Sequence, residues 1–236
     1  MIVNNIIIME LFDLAGFKFP ELVQEPLFFQ SKLHEFFDKA PVGYKIIRSD
    51  GELINNSFIK GVVYLGVGAV IKPFSYIEGR LLLDDNSSLG PHAFIRGDVI
   101  VGSGSELRRC EVKDSILLTK VKAHHHSYIG DSIIGNRVNI AAGFIIANLR
   151  FDNQSVKVKG FGLSPTRKFG ALIGDDAKTM INACLMPGSV VEKGGVVKQG
   201  VSNPLERGMC PLSGETMINA CLMPGSVVEK GGVVRG

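Results

Sequence analysis

The chain reads as an all-β protein, a parallel β-helix with a short helical N-terminal cap. Three observations predict it: a branched aliphatic residue at every sixth position, no helix-length pattern inside that run, and a different, aromatic-rich stretch ahead of it. From Leu53 the sixth residues are Leu53, Ile59, Leu65, Ile71, Ile77, Leu83, Leu89, Ile95, Val101 and Leu107. A helix repeats at 3.6 residues and a strand at 2, and neither sustains a beat of six. A coil with three flat sides does, because each side sends one aliphatic inward to stack on its counterpart in the next coil. Glycine often follows that residue, as at Gly66, Gly90 and Gly102, and other glycines fall at corners that call for positive φ.

Residues 1–52 precede the beat. In ELVQEPLFFQSKLHEFFDK the apolar residues Leu22, Leu27, Phe28, Leu33, Phe36 and Phe37 predict a helix of about three turns after Pro26. A repeat stack needs its first coil covered, so this segment is read as a cap. Residues 53–200 form the β-helix proper. Within it the step shortens to five at Leu107–Val112–Leu117, and again between Ile129 and Ile134. Residues 148–170 lose the pattern and read as a protruding, lysine-bearing loop. The frame resumes at Ile173, Thr179, Leu185, Val191 and Val197. The tail, 201–236, holds an oddity: residues 179–197 recur unchanged at 216–234. The two copies are expected to compete for one docking position.

Net charge is +3, from 26 basic and 23 acidic residues, and no Lys/Arg-rich run appears. That balance argues against a nucleic-acid partner. The cysteines Cys110, Cys184, Cys210 and Cys221 form no C-x-x-C pair and read as reduced thiols. The apolar start lacks a basic region and is interrupted by Glu10 and Asp13. It is too short to span a membrane, so no membrane partner and a cytoplasmic location are expected.

Residues 89–98 (LGPHAFIRGD) and 111–148 (EVKDSILLTKVKAHHHSYIGDSIIGNRVNIAAGFIIAN) carry a resemblance. They resemble the acetyltransferase domain of bifunctional N-acetylglucosamine-1-phosphate uridylyltransferase/glucosamine-1-phosphate acetyltransferase, in the sugar-phosphate branch of the hexapeptide-repeat acyltransferases. The family pattern G-P-x-A-x-[LI]-R, E-x-K, H-x-[ST]-Y-[LI]-G-D and N-x-N-[IV]-x-A-G, then N, meets Arg96, Lys113, His125, Tyr128, Asn139, Ala142 and Asn148 here. The resemblance implies a left-handed parallel β-helix of hexapeptide repeats, a homotrimer, acetyl-CoA as acetyl donor and an amino-sugar phosphate as acceptor. It covers roughly residues 53–200. The glycine-rich nucleotidyltransferase motif is absent, so no uridylyl transfer is expected. A family lysine near the sugar phosphate is Gln154 here, with Lys157 or Lys159 as substitutes, and Met180 replaces the usual glycine near CoA.

N-acetyl transfer needs an uncharged amine, a thioester carbonyl and a group to hold the developing oxyanion. Histidine removes an ammonium proton near neutral pH. In His124-His125-His126 successive side chains of a flat strand alternate in direction, so they cannot all face one ligand. The resemblance selects His125 as general base. It assigns Asn148 to the acceptor and acetyl end, and the backbone N–H of Ala142 to the thioester oxygen, a donor that needs no charged side chain. Arg96 and Lys113 are one coil apart and suit a phosphate dianion; Tyr128, Asn139 and Lys157 complete the acceptor side. Each has a bland alternative: surface decoration for the histidines, solvation for Arg96 and Lys113, outside stacking for Tyr128, a ladder asparagine for Asn139. No metal site is expected, since consecutive histidines diverge and His92 and His34 lack a matching third partner. Three other functions stay open: an acceptor that is a nucleotide sugar or a sugar hydroxyl, a non-catalytic scaffold relative, and a carbonic anhydrase-like metal protein.

Overall fold

A computed structural model describes residues 8–198 and the backbone of 200–202. The second copy of the tail repeat lies outside the described residues. The chain winds as a parallel β-helix, and the hexad aliphatics form three inward columns. On the first wall Ile59, Ile77, Ile95, Val112 and Ile129 stack in register. On the second, Leu83, Val101, Leu117, Ile134 and Ile173 do so. On the third the column is Leu89, Leu107, Ala123, Ile140 and Thr179. All are buried. Each full burial of a branched aliphatic is worth roughly 1.5–3 kcal/mol, and each coil supplies the surface that buries the next.

The edges between walls explain the shortened steps. Gly61, Gly79 and Gly97 stand in register at the first-to-second edge, with φ of +137°, +133° and +71°. In the next coils one aspartate replaces two residues there: Asp114 (φ +41°) stands against Gly97 and Asp98, and Asp131 (φ +52°) follows above it. The wall-to-wall distance is kept with one residue fewer, hence Val112 to Leu117 and Ile129 to Ile134.

Leu53 departs from the sequence reading. It is 76% exposed, in an antiparallel strand, Lys45–Ile54, that hairpins onto Ser57–Leu65. The inward column begins at Ile59, and the hairpin occupies the open edge of the first coil. The N-terminal segment covers more than an end. Its helix, Phe29–Asp38, follows a turn of 3-10 helix at Pro26–Phe28 and buries Phe29, Leu33 and Phe37 on one stripe. That stripe belongs to a second apolar cluster with the outward residues Tyr64, Leu82, Ile100, Ile116, Ile133 and Leu172 of the second wall. This wall is therefore apolar on both faces. The 148–170 loop packs on the same cluster through Val156, Val158, Phe161 and Phe169, and the Phe29 and Phe169 rings meet edge to face at 5.7 Å. Most of the expected protrusion is thus folded back, leaving Phe151 and Leu163 exposed. No helix of the described residues is long and apolar enough to cross a membrane.

Cys110 sits inside the first wall, where burial pushes its thiol up to about 12. The thiolate is the nucleophile, so Cys110 is expected to resist iodoacetamide at pH 8 in native protein and to react fully in denaturant. Peptide mass mapping reads this directly; alkylation of Cys110 in the native state would show that the first column opens.

Candidate active site

The first wall carries the densest chemistry. Its outward residues in register are Phe94, Glu111, Tyr128 and Ile145, beside Arg96 and Lys113. Arg96 donates from Nε to Glu111 Oε1 at 2.7 Å. The Tyr128 side chain leans over Gly130, where a Cβ would strike both its hydroxyl and the Asn148 amide. Asn148 Nδ2 donates to the Tyr128 hydroxyl at 3.0 Å and also to Asp131. Lys113 Nζ lies between Asp131, at 3.2 Å, and Asp114.

Asp131 is the centre of this cluster, its side chain 2% exposed. Burial raises its pKa above the ordinary carboxylate value even with Lys113 beside it. For Lys113 burial works in the other direction, but Asp114 and Asp131 outweigh it and hold the ammonium above its usual value. Burial also raises the Tyr128 phenol. At neutral pH the Tyr128 hydroxyl keeps its proton and Lys113 its charge.

His125 lies elsewhere on the same wall. Tyr128 is in the strand Ser127–Gly130; His125 is in the turn before it, and Asp131 directly after it. The histidine and the Asn148–Asp131 pair therefore mark opposite edges. His125 has φ +69°, an exposed side chain, and a carbonyl that accepts the Gly143 N–H at 2.9 Å. The three histidines do not run along a flat strand as expected: His125 and His126 turn a corner with φ +69° and +61°, and the His124 and His125 rings meet edge to face at 5.7 Å. Burial lowers the His124 pKa. Ala142 is on the His125 edge; its carbonyl accepts from Asn182, and its N–H makes no hydrogen bond among the described residues.

The remaining expected residues lie apart. Asn139 is exposed on the third wall, in register with Lys122 and Lys178. Lys157 is exposed on the small hairpin of Lys157–Val158 with Gly162–Leu163. Gln154 is exposed and, among the described residues, bonds only to Asp152, which is itself paired to Arg150. A cavity of about 570 Å³ opens along the wall between Tyr128 and the His125 edge, lined among others by His92, Phe94, Arg109, Glu111 and His126.

Sequence reasoning missed Glu111, Asp131 and Gln30. Glu111 and Asp131 belong to the E-x-K and H-x-[ST]-Y-[LI]-G-D elements but received no role. Gln30 donates from Nε2 to Asp131 at 2.7 Å across a separation of 101 residues, and no local pattern announces that contact.

A family model described as GMPPB C-terminal domain matches residues 77–163. The bifunctional protein GlmU of Methanococcus vannielii is 40% identical over 131 residues, 55% of this chain and 28% of its own length. The bifunctional sugar-1-phosphate nucleotidylyltransferase/acetyltransferase of Sulfurisphaera tokodaii is 41% identical over 142 residues, 58% of this chain and 35% of its own. The chain thus spans about a third of the length of the curated relatives it matches. Among solved structures, a hexapeptide transferase family protein from Anaplasma phagocytophilum is 19% identical, with 64% of this chain and 81% of that one covered at a TM-score of 0.21. The resemblance to the bifunctional sugar-phosphate enzymes holds at the level of sequence.

Proposed function

We propose that this chain is an acyltransferase that moves acetyl from acetyl-CoA to the 2-amino group of a hexosamine 1-phosphate, glucosamine 1-phosphate being the type acceptor. The observation that carries the reading is the Tyr128–Asn148–Asp131–Lys113 cluster on an outward wall, in a chain similar to bifunctional sugar-1-phosphate nucleotidylyltransferase/acetyltransferases.

His125 takes a proton from the acceptor's ammonium, which frees the nitrogen lone pair. The amine attacks the thioester carbonyl; the C–N bond forms, the C–S bond breaks, and the second proton that the nitrogen loses on becoming an amide goes to the departing sulfur, which leaves as CoA thiol. The Ala142 N–H holds the carbonyl oxygen as negative charge develops, and the donor's pantetheine arm runs between Ala142 and residues 181–186. Asn148 and Tyr128 orient the amino sugar. Arg96 and Lys157 face the phosphate more readily than Lys113, whose charge is already shared by two carboxylates; Asn139 contacts the acceptor from the third wall. The chain works as a cytoplasmic homotrimer with sites between subunits, a reading supported by His125 and Asn148 standing at opposite edges of one wall.

The test is thiol release from acetyl-CoA with a panel of glucosamine 1-phosphate, galactosamine 1-phosphate, a UDP-linked amino sugar and a hexose 1-phosphate. Turnover with an amino-sugar 1-phosphate is expected. Turnover only with the nucleotide sugar or the hydroxyl acceptor would reassign the acceptor, and none with any would leave the scaffold reading.

A further inference from the structure

We infer that Asp131, held by Gln30 of the N-terminal helix, is the positioning residue that fixes which end of the Asn148 amide meets the acceptor. The inference rests on the proposed acetyl transfer and deepens it. It joins the N-terminal segment, which lies outside residues 77–163, to the chemistry.

An asparagine amide can present either its oxygen or its NH2 group, and only its partners decide between them. An ionised carboxylate accepts hydrogen bonds and donates none. Asp131 accepts from Asn148 Nδ2, from Gln30 Nε2 and from Lys113 Nζ. The NH2 end of Asn148 is therefore held inward, with Oδ1 left to accept from an amine N–H. The same NH2 group donates to the Tyr128 hydroxyl. That oxygen is then the acceptor of the pair, and the Tyr128 O–H is directed away from Asn148, as a donor toward ligand. One buried carboxylate thus sets an acceptor and a donor side by side.

Gln30 holds the carboxylate from outside the wall. Its amide is itself oriented: Nε2 donates also to the Lys168 carbonyl at 3.2 Å, and Oε1 accepts from Thr166 Oγ1 at 2.9 Å. Phe29, next to it, is fully buried against Phe169. The helix and the 148–170 insertion are thereby clamped to each other and to Asp131 by one glutamine.

Steady-state transfer by the full chain tests this with Asp131→Asn, Gln30→Met and the double variant. The carboxamide that D131N introduces can donate to Asn148 Oδ1, which permits the flipped amide; methionine keeps the length of Gln30 without its hydrogen bonds. D131N is expected to lower kcat about thirtyfold and Q30M about fivefold, both with KM changed less than twofold, the larger loss falling where the carboxylate that touches Asn148 is itself replaced. The double variant is expected to match D131N alone, because Gln30 acts through the carboxylate. Unchanged kcat in D131N, or effects of the two changes that multiply, would overturn the inference while leaving wild-type transfer intact. If D131N fails to fold, the kcat-against-KM split of Q30M decides by itself. Absence of transfer in the wild type would instead count against the proposed function.

Discussion

Replacing His125 with alanine is expected to lower kcat for acetyl transfer about a thousandfold, within the 10²–10⁴ range typical of a general base. The protein should otherwise be unharmed. The ring is exposed, and the cost is limited to setting alanine at φ +69°, about 1 kcal/mol. The neighbours are the controls. His124 turns toward Glu106, its Nε2 buried and 3.8 Å from that carboxylate, while His126 lines the cavity beside Tyr128. His124→Ala should keep most of the activity. If His125→Ala retains more than a tenth of wild-type turnover, the base lies elsewhere, and His126 is the first residue to examine.

Gly79→Ala should cost a large share of the protein's stability, as should Gly61→Ala at the same edge. Gly79 has φ +133°, a region in which a side chain is strained. Its Cβ would fall on the Gly97 carbonyl oxygen and 2.8 Å from the Gly97 nitrogen. Both are backbone atoms of the next coil, which cannot turn aside as a side chain could. Strain and overpacking together are worth about 3–5 kcal/mol. Urea unfolding measures it, with Gly16→Ala, which meets nothing within 4 Å, as the neutral reference. Equal midpoints for G79A and wild type would mean that Gly61, Gly79 and Gly97 do not stack.

Several features of this fold were legible in the primary structure. The hexad aliphatics report a coil because a parallel stack reuses the same interior position on each turn, so the core is written at constant spacing. The doublets Leu82-Leu83, Ile100-Val101, Ile116-Leu117, Ile133-Ile134 and Leu172-Ile173 also announced that the second wall is buried on both faces. In each pair one residue serves the interior column and the other the cluster beneath the helix. That signal was present and unread. Leu53 shows the opposite error: it keeps the beat but lies in a hairpin strand, since spacing does not reveal whether a strand runs parallel or antiparallel.

The candidate site was legible in part. His125, Tyr128 and Asn148 were expected around one cleft; Tyr128 and Asn148 meet, joined by Lys113 through Asp131, while His125 lies at the other edge of the wall. Asn139 and Lys157 were expected with them and stand on the third wall and on the hairpin.

By itself the sequence determined the coil, its interior columns and the residue types available for proton transfer and amide recognition, since all of these follow from local spacing. Tertiary structure alone decided that the helix lies along the second wall, that Gln30 reaches Asp131, and that His125 and Asn148 occupy opposite edges. Such contacts join side chains across one or many turns, and their geometry depends on which wall each faces and where the coil loses a residue.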